Sequence, residues 1–302
     1  LVWLKSRSNA TDNELTDSVR GVTKSLISNS TAAEATDTQG LTAFNSNGFT
    51  LGTDANYNGS GRTFVGWQWQ AGQGTNTTNT SGTITSTVSV NASAGFSIVT
   101  FTTTAGVKTV GHGLGVAPAL IIVKPRAVVA DWYVYGSNYS NTQYLKLNTT
   151  DSLITDTNLW NSTTATSSVF TLGSSWGSGN TLVAYCWTPI AGYSAFGSYT
   201  GNGSTDGPFV YTGFRPKYLL VKSSSLAQNW TIFDSSRSPY NAADLLLYPQ
   251  YSNAENQDTG QAIDLVSNGF KIRNSNANEN TNGATYIYIA YAENPFKNAL
   301  AR

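Results

Sequence analysis

The chain is 302 residues long, room for two or three ordinary domains, and its 17 Lys and Arg balance its 17 Asp and Glu. Only 11% of residues are charged, so the basic footprint of a nucleic-acid binder or of a protein resting on an anionic membrane is absent. Hydrophobic residues at 39% and aromatics at 12% supply enough burial to exclude disorder for most of the chain, and the Ser, Thr, Asn and Gly of the polar load favour strands joined by turns.

In chain order, Val2-Trp3-Leu4-Lys5 reads as a strand with Val2 and Leu4 on one face, ending in a polar turn from Lys5 to Asn9. Thr31-Ala32-Ala33-Glu34 has the spacing of a capping box, which makes residues 14 to 35 the one place where a helix is considered, with single turns preferred. Asn47-Gly48, flanked by Phe44 and Phe49, predicts a type I′ hairpin turn, and Val266 to Phe270 repeats it. Asp54 to Gly61 reads as a loop, and Arg62 to Trp69 alternates as a strand with Val65, Trp67 and Trp69 on one face. Residues 72 to 83 hold no apolar anchor and predict an exposed connector, after which Thr83 to Val90 returns to a sheet edge. Further strands are expected near 96–102, 119–124, 131–135, 144–147, 168–172 and 181–187, and again near 193–200, 208–213, 217–222, 229–234, 244–248, 262–266, 270–273 and 284–292. The expectation is an all-β fold of tandem antiparallel β-sandwich modules with long polar loops.

The chain also repeats itself. Gly95-Phe96-Ser97, Pro118 and Leu120 to Lys124 answer to Gly192-Tyr193-Ser194, Pro216 and Tyr218 to Lys222, at offsets of 97 to 98. Ser168 to Gly173 then align with Ser267 to Ile272, and Val183 to Cys186 with Ile289 to Ala292. A third relative at the front uses Leu1 to Lys5, Asn47 to Gly52 and Thr63 to Trp69, without the GFS…G…P segment that precedes the lysine strand elsewhere. The division expected is a first, truncated repeat at 1–72, a polar connector at 73–90, a second repeat at 91–191 and a third at 192–302. The truncated repeat, with no Met at position 1, predicts more chain ahead of Leu1.

Candidates for chemistry are few. The lone Cys186 lies in the apolar run LVAYCW and reads as a small core residue; the lone His112, between glycines in VGHGLG, reads as a turn residue without the nucleophile and orienting partner that a general base needs. One His and one Cys cannot assemble the usual zinc sites within one subunit. Asp206, Asp234, Asp258 and Asp264 could serve a glycosidase, which needs two carboxylates, but they are scattered singly. Asp17 to Arg20 recurs as Asp234 to Arg237, the spacing of a structural ion pair. Gly201 to Gly207 lacks the Lys-Ser/Thr of a phosphate loop, and nothing in it supports a calcium ion. Trp132 and Trp230 read as core, with a sugar platform as the alternative, while Lys124 and Lys222 read as solvated strand ends. Sequons such as Asn29-Ser30-Thr31 and Asn148-Thr149-Thr150 follow from composition. No catalytic, metal or cofactor residue is assigned, receptor-binding residues are left unassigned, and no run of about 18 apolar residues offers a membrane span.

The motifs LVWLKSR, FNSNGFTLG, GRTFVGWQWQAG, VGHGLGVAPALIIVK, SAFGSYTGNGSTDGPFVYTGFRPKYLLVK and GATYIYIAYAENPF, in this order, resemble an uncharacterised family of repeat-bearing virion proteins of tailed, largely marine, bacteriophages. The resemblance covers essentially the whole chain. It implies a structural protein of the particle surface, a tail fibre or similar appendage, and not an enzyme. It also implies a homo-oligomer, with a trimer favoured, other virion proteins as neighbours, and contact with a host surface glycan or protein. Two other readings stand beside it: a carbohydrate-binding, lectin-like module and a glycan depolymerase.

Overall fold

The structure is a computed structural model that describes residues 1–72 and 75–294. Gln73 and Gly74 of the expected connector, and residues 295–302 of the expected third repeat, lie outside the described residues. Two compact units are formed, Leu1–Asn148 with Ile154–Thr188, and Thr149–Leu153 with the chain from Pro189 onward.

The first unit holds β1 (Val2–Ser6), β2 (Glu14–Thr16), β3 (Lys24–Ile27), β4 (Ala35–Thr36), the hairpin β5 (Leu41–Asn45) and β6 (Gly48–Leu51), helix α1 (Ala55–Asn58) and β7 (Phe64–Gln68). It continues with β8 (Thr77–Asn79), β9 (Ser86–Asn91), β10 (Phe96–Thr102), β11 (Lys108–Gly111), β12 (Leu120–Pro125), β13 (Tyr133–Gly136), β14 (Gln143–Lys146), β15 (Ile154–Thr155), β16 (Val169–Leu172) and β17 (Thr181–Trp187). One antiparallel sheet runs β4-β3-β2-β1-β7 and another β15-β14-β13-β12-β17-β10-β9-β8, with β5-β6 and β11-β16 as small second layers. The second unit holds β18 (Ser194–Thr200), β19 (Phe209–Tyr211), β20 (Pro216–Ser223), β21 (Trp230–Asp234), β22 (Leu245–Leu246), β23 (Asn256–Gln257), β24 (Ile263–Val266), β25 (Gly269–Ile272) and β26 (Thr285–Ala292). Its sheets are β18-β26-β20-β21, β19-β25-β24 and β22-β23.

Each core lies between a large and a small sheet, because alternate residues of facing strands point at one another. In the second unit Leu219, Val221 and Tyr286 of the large sheet cluster with Val210, Ile263, Leu265 and Phe270 of the small one. Val123, Leu182 and Ala184 meet Val110, Phe170 and Leu172 in the same way in the first. Trp132 and Trp230 are buried, as expected of core residues.

Strand register sets the equivalence of the repeats more firmly than the letters do. Lys5 pairs with Val65, Lys124 with Val183 and Lys222 with Ile287, so Tyr185 corresponds to Ile289 rather than to Tyr291 as the sequence alignment has it. That two-residue shift keeps every side chain on its face, which is why the sequence tolerates it. The same logic matches Phe170 with Phe270, one residue away from the alignment read from sequence, since both pair with the central valine of the neighbouring strand. In the first repeat β7 closes its sheet among the described residues, whereas its counterparts β17 and β26 lie between two partners.

Three local expectations are corrected. Residues 31–34 form no helix, because the Thr31 carbonyl accepts from Lys124 Nζ and from the Ala130 amide while Glu34 turns to Arg20 and Arg126. The segment expected as a helix or as broken turns contains β2 and β3 instead, and the one described α-helix, Ala55–Asn58, lies in the expected loop, its Asp54 cap accepting from the Asn56 amide at 2.8 Å. The hairpin turns centre on Ser46-Asn47 and Ser267-Asn268, each one residue ahead of the Asn-Gly pair, and none of these four residues has positive φ. The glycines open the returning strands. Gly48 takes φ +157°, and a Cβ on Gly269 would fall 2.0 Å from the Val210 carbonyl oxygen. Gly269→Ala is therefore expected to lower the stability of the second unit by roughly 1–3 kcal/mol, measured by chemical denaturation.

Candidate functional site

The lysines that close the central strands are buried, not solvated as the sequence reading has them. Lys124 Nζ donates to the carbonyls of Thr31 (2.9 Å) and Ala130, and lies 5.9 Å from the centre of the Trp132 ring. Lys222 Nζ donates to those of Thr150 (3.1 Å) and Leu226 (3.4 Å), and Lys5 Nζ to those of Ser6 and Asn9. Thr31 and Thr150 each stand five residues beyond the leucine that pairs under the neighbouring strand, Leu26 and Leu145. Three residues further on, the amides of Glu34 and Leu153 donate to the carbonyls of Arg126 and Ser224. One stitch is therefore used twice. An ammonium surrounded by carbonyl dipoles is a satisfied group, though burial still pushes Lys222 down to about 7 and Lys124 and Lys5 to about 8, with nearby carboxylates resisting. Sequence reasoning missed this because a lysine at a strand end is ordinarily wet.

The Asp/Arg spacing does make buried ion pairs. Arg20 Nε lies 2.5 Å from Asp17 Oδ2 and Arg237 Nε 2.6 Å from Asp234 Oδ2, and each guanidinium also reaches a glutamate, Glu34 or Glu255. Burial alone would raise the Asp17 carboxyl, but Arg20, through its charge, its backbone amide and its side chain, draws it below the usual range. Arg20 Nη2 donates to the Leu15 carbonyl at 2.8 Å and Arg237 Nη2 to that of Ile232 at 2.9 Å. In the second repeat Gly136 and Tyr139 occupy these positions, and the Tyr139 hydroxyl donates to the equivalent Val134 carbonyl at 2.9 Å. A Cβ on Gly136 would strike that ring at 2.6 Å, so glycine makes room for a neutral substitute.

The other singled-out residues are held apart from chemistry. His112 is buried, its Nε2 donating to the Thr166 carbonyl and its Nδ1 accepting from the Leu114 amide, so both ring nitrogens are engaged. Cys186 is buried against Ser97, and burial pushes its thiol well up. Asp258 caps the short helix Thr259–Gln261. In the Gly201 to Gly207 loop the Asn280 amide fills the turn, donating to Asn202 Oδ1 and the Ser204 carbonyl. Among the described residues, no three His, Cys, Asp or Glu side chains gather as a metal site. A cleft of about 770 Å³ in the first unit is lined by Leu1, Phe44 to Gly48 and Gln68 to Ala71, aromatic and amide groups with no side-chain acid or base. Glu279, not singled out by sequence, is buried with Oε1 accepting from Thr231 at 2.9 Å and Oε2 without a hydrogen bond; burial pushes its carboxyl up to about 8.

The outer face of β19-β25-β24 is the exception. Phe209, Lys271 and Asp264 form one row across the three strands, and Tyr211, Gly269 and Val266 the next. Phe209 is 49% and Tyr211 68% exposed. The Phe209 ring packs on Gly269 and the Tyr211 ring over Gly213. Beside them Lys271 Nζ lies 2.7 Å from Asp206 Oδ1, and Arg273 Nε 2.5 Å from Asp264 Oδ2. Of the four carboxylates considered for glycosidase work, Asp206 and Asp264 are thus brought to one surface and salt-bridged there. Asp234 stands apart, paired with Arg237, and Asp258 serves as a cap.

Over residues 1–295 the chain matches the family model of a domain of unknown function, DUF7483, and it belongs to that family. No curated protein and no solved structure matches it.

Arg237→Ala, which removes the guanidinium beside the buried Asp234 carboxylate, is expected to cost about 3–5 kcal/mol in denaturant unfolding. Glu279 is raised in the folded state, so its stabilising contribution is complete below the unfolded carboxylate value near 4.5 and is lost as pH rises through about 8. Glu279→Gln should flatten the fall in stability between pH 5 and 9, measured by thermal melting at each pH.

Proposed function

We propose that this protein is a structural, surface-exposed component of a tailed-phage particle, a tail fibre or similar appendage, whose modules form a display scaffold and whose outward residues meet a host surface receptor. The observation that supports the reading best is that every repeat encloses the lysine of its central strand in main-chain carbonyls, and that the first and third lock a buried Asp/Arg pair. Lys5, Lys124 and Lys222 are caged by carbonyls, and Asp17/Arg20 and Asp234/Arg237 fasten the turns that follow β2 and β21. Groups locked in this way hold a backbone and are poorly placed to exchange protons with a substrate. The motif resemblance supports the particle and a homo-oligomer, which we take as a trimer.

The test is fractionation. A lysate of the producing culture is resolved on a density gradient and probed with an antiserum against the purified chain. The chain should travel with intact particles and decorate them under the electron microscope; recovery only among free proteins, with bare particles, refutes the reading.

A further inference from the structure

We infer that the outer face of β19-β25-β24 is a carbohydrate-binding site, with Phe209 and Tyr211 as stacking platforms and the Lys271, Asp206, Arg273 and Asp264 side chains as hydrogen-bonding partners for sugar hydroxyls. This names the chemical class of the receptor and rests on the display reading for its biological setting, though not for its chemistry.

The comparison with the second repeat isolates the feature. Register makes Val210 and Phe270 the counterparts of Val110 and Phe170, and those four residues are buried alike. On the opposite side of the same strands the second repeat carries Thr109, Gly111 and Thr171 where the third carries Phe209, Tyr211 and Lys271. The core is kept and the outer face is remade. In the second repeat the flank of β11 is also met by Ile84, which bridges to Val110, and by the Thr83 side chain, in contact with Thr109; β19 ends its sheet among the described residues.

Two aromatics at i and i+2 on a strand stand about 7 Å apart on the same side. Their underlying glycines let the rings settle against the backbone. Aromatic faces attract the polarised C–H bonds of a pyranose ring, while its hydroxyls need donors and acceptors at the rim. The rim here provides two cations and two carboxylates in pairs, of which the Asp206 and Arg273 side chains are open, at 83% and 45% exposure, and those of Lys271 and Asp264 are partly covered, at 25% and 15%. Their charges cancel, which fits a neutral glycan better than a polyanion. The apolar part consists of two half-exposed rings, far below the roughly 800 Å² per partner of a stable protein interface, so a sugar is favoured over a second copy of the chain.

The purified full chain and its Phe209→Ala/Tyr211→Ala double variant are applied to a printed panel of neutral hexose oligosaccharides and bacterial outer-surface glycans, with circular dichroism and melting to verify the fold. The wild type should retain at least one neutral glycan, competed by the same free sugar, and the double variant should bind it at least about tenfold more weakly at an unchanged fold. Lys271→Gln supplies a second reading, expected to weaken the same glycan without loss of the others' specificity. No glycan retained, equal retention by the double variant, or a change confined to sedimentation and oligomeric state would overturn the proposal. Because the assay uses isolated protein, its failure leaves the particle location standing, and failure of the fractionation leaves the sugar result standing.

Discussion

A lysine ammonium caged by main-chain carbonyls is the interaction around which the repeats are organised. Removing a cation from water is costly unless fixed dipoles replace the hydration shell, and at Lys124 and Lys222 those dipoles come partly from the turn following the lysine strand and partly from Thr31 or Thr150, earlier in the chain. The cage therefore ties chain distant in sequence to the end of a central strand. Because the lysine sits at a set register position, opposite Val65, Val183 or Ile287, it also states which residues of that strand face the core.

The turns after β2, β13 and β21 show how the same mechanical task is met by different chemistry. Arg20 and Arg237 reach a strand carbonyl from above a buried aspartate, and Tyr139 reaches the equivalent carbonyl without any charge. What the position requires is a donor of the right length beside the strand. An ion pair provides it with strong internal compensation; a tyrosine over glycine provides it with no charge to desolvate. The variation among repeats is thus concentrated at turns and on outer faces, while the apolar residues between the sheets stay alike. The rows Phe209-Lys271-Asp264 and Tyr211-Gly269-Val266 belong to that variable exterior.

Much of this was legible in the letters. Composition and period-two alternation determined an all-β chain, the matched Lys anchors mark strands of like register, and most strands from β10 onward lie where alternation puts them. The strands β2 and β3 were obscured because their side chains, Glu14, Lys24 and Ser25 among them, look polar while the tertiary fold buries Glu14 and Ser25 against one another. Tertiary structure alone decided the burial of the lysines, the displaced hairpin turns, the two-residue shift between Tyr185 and Ile289, and the gathering of Phe209, Tyr211 and Lys271 on one face. Each of these depends on which strands lie side by side. Local sequence specifies a strand's two faces through steric and hydrophobic preference, whereas the partner strand, its register and its layer come from long-range packing that no short stretch of sequence encodes.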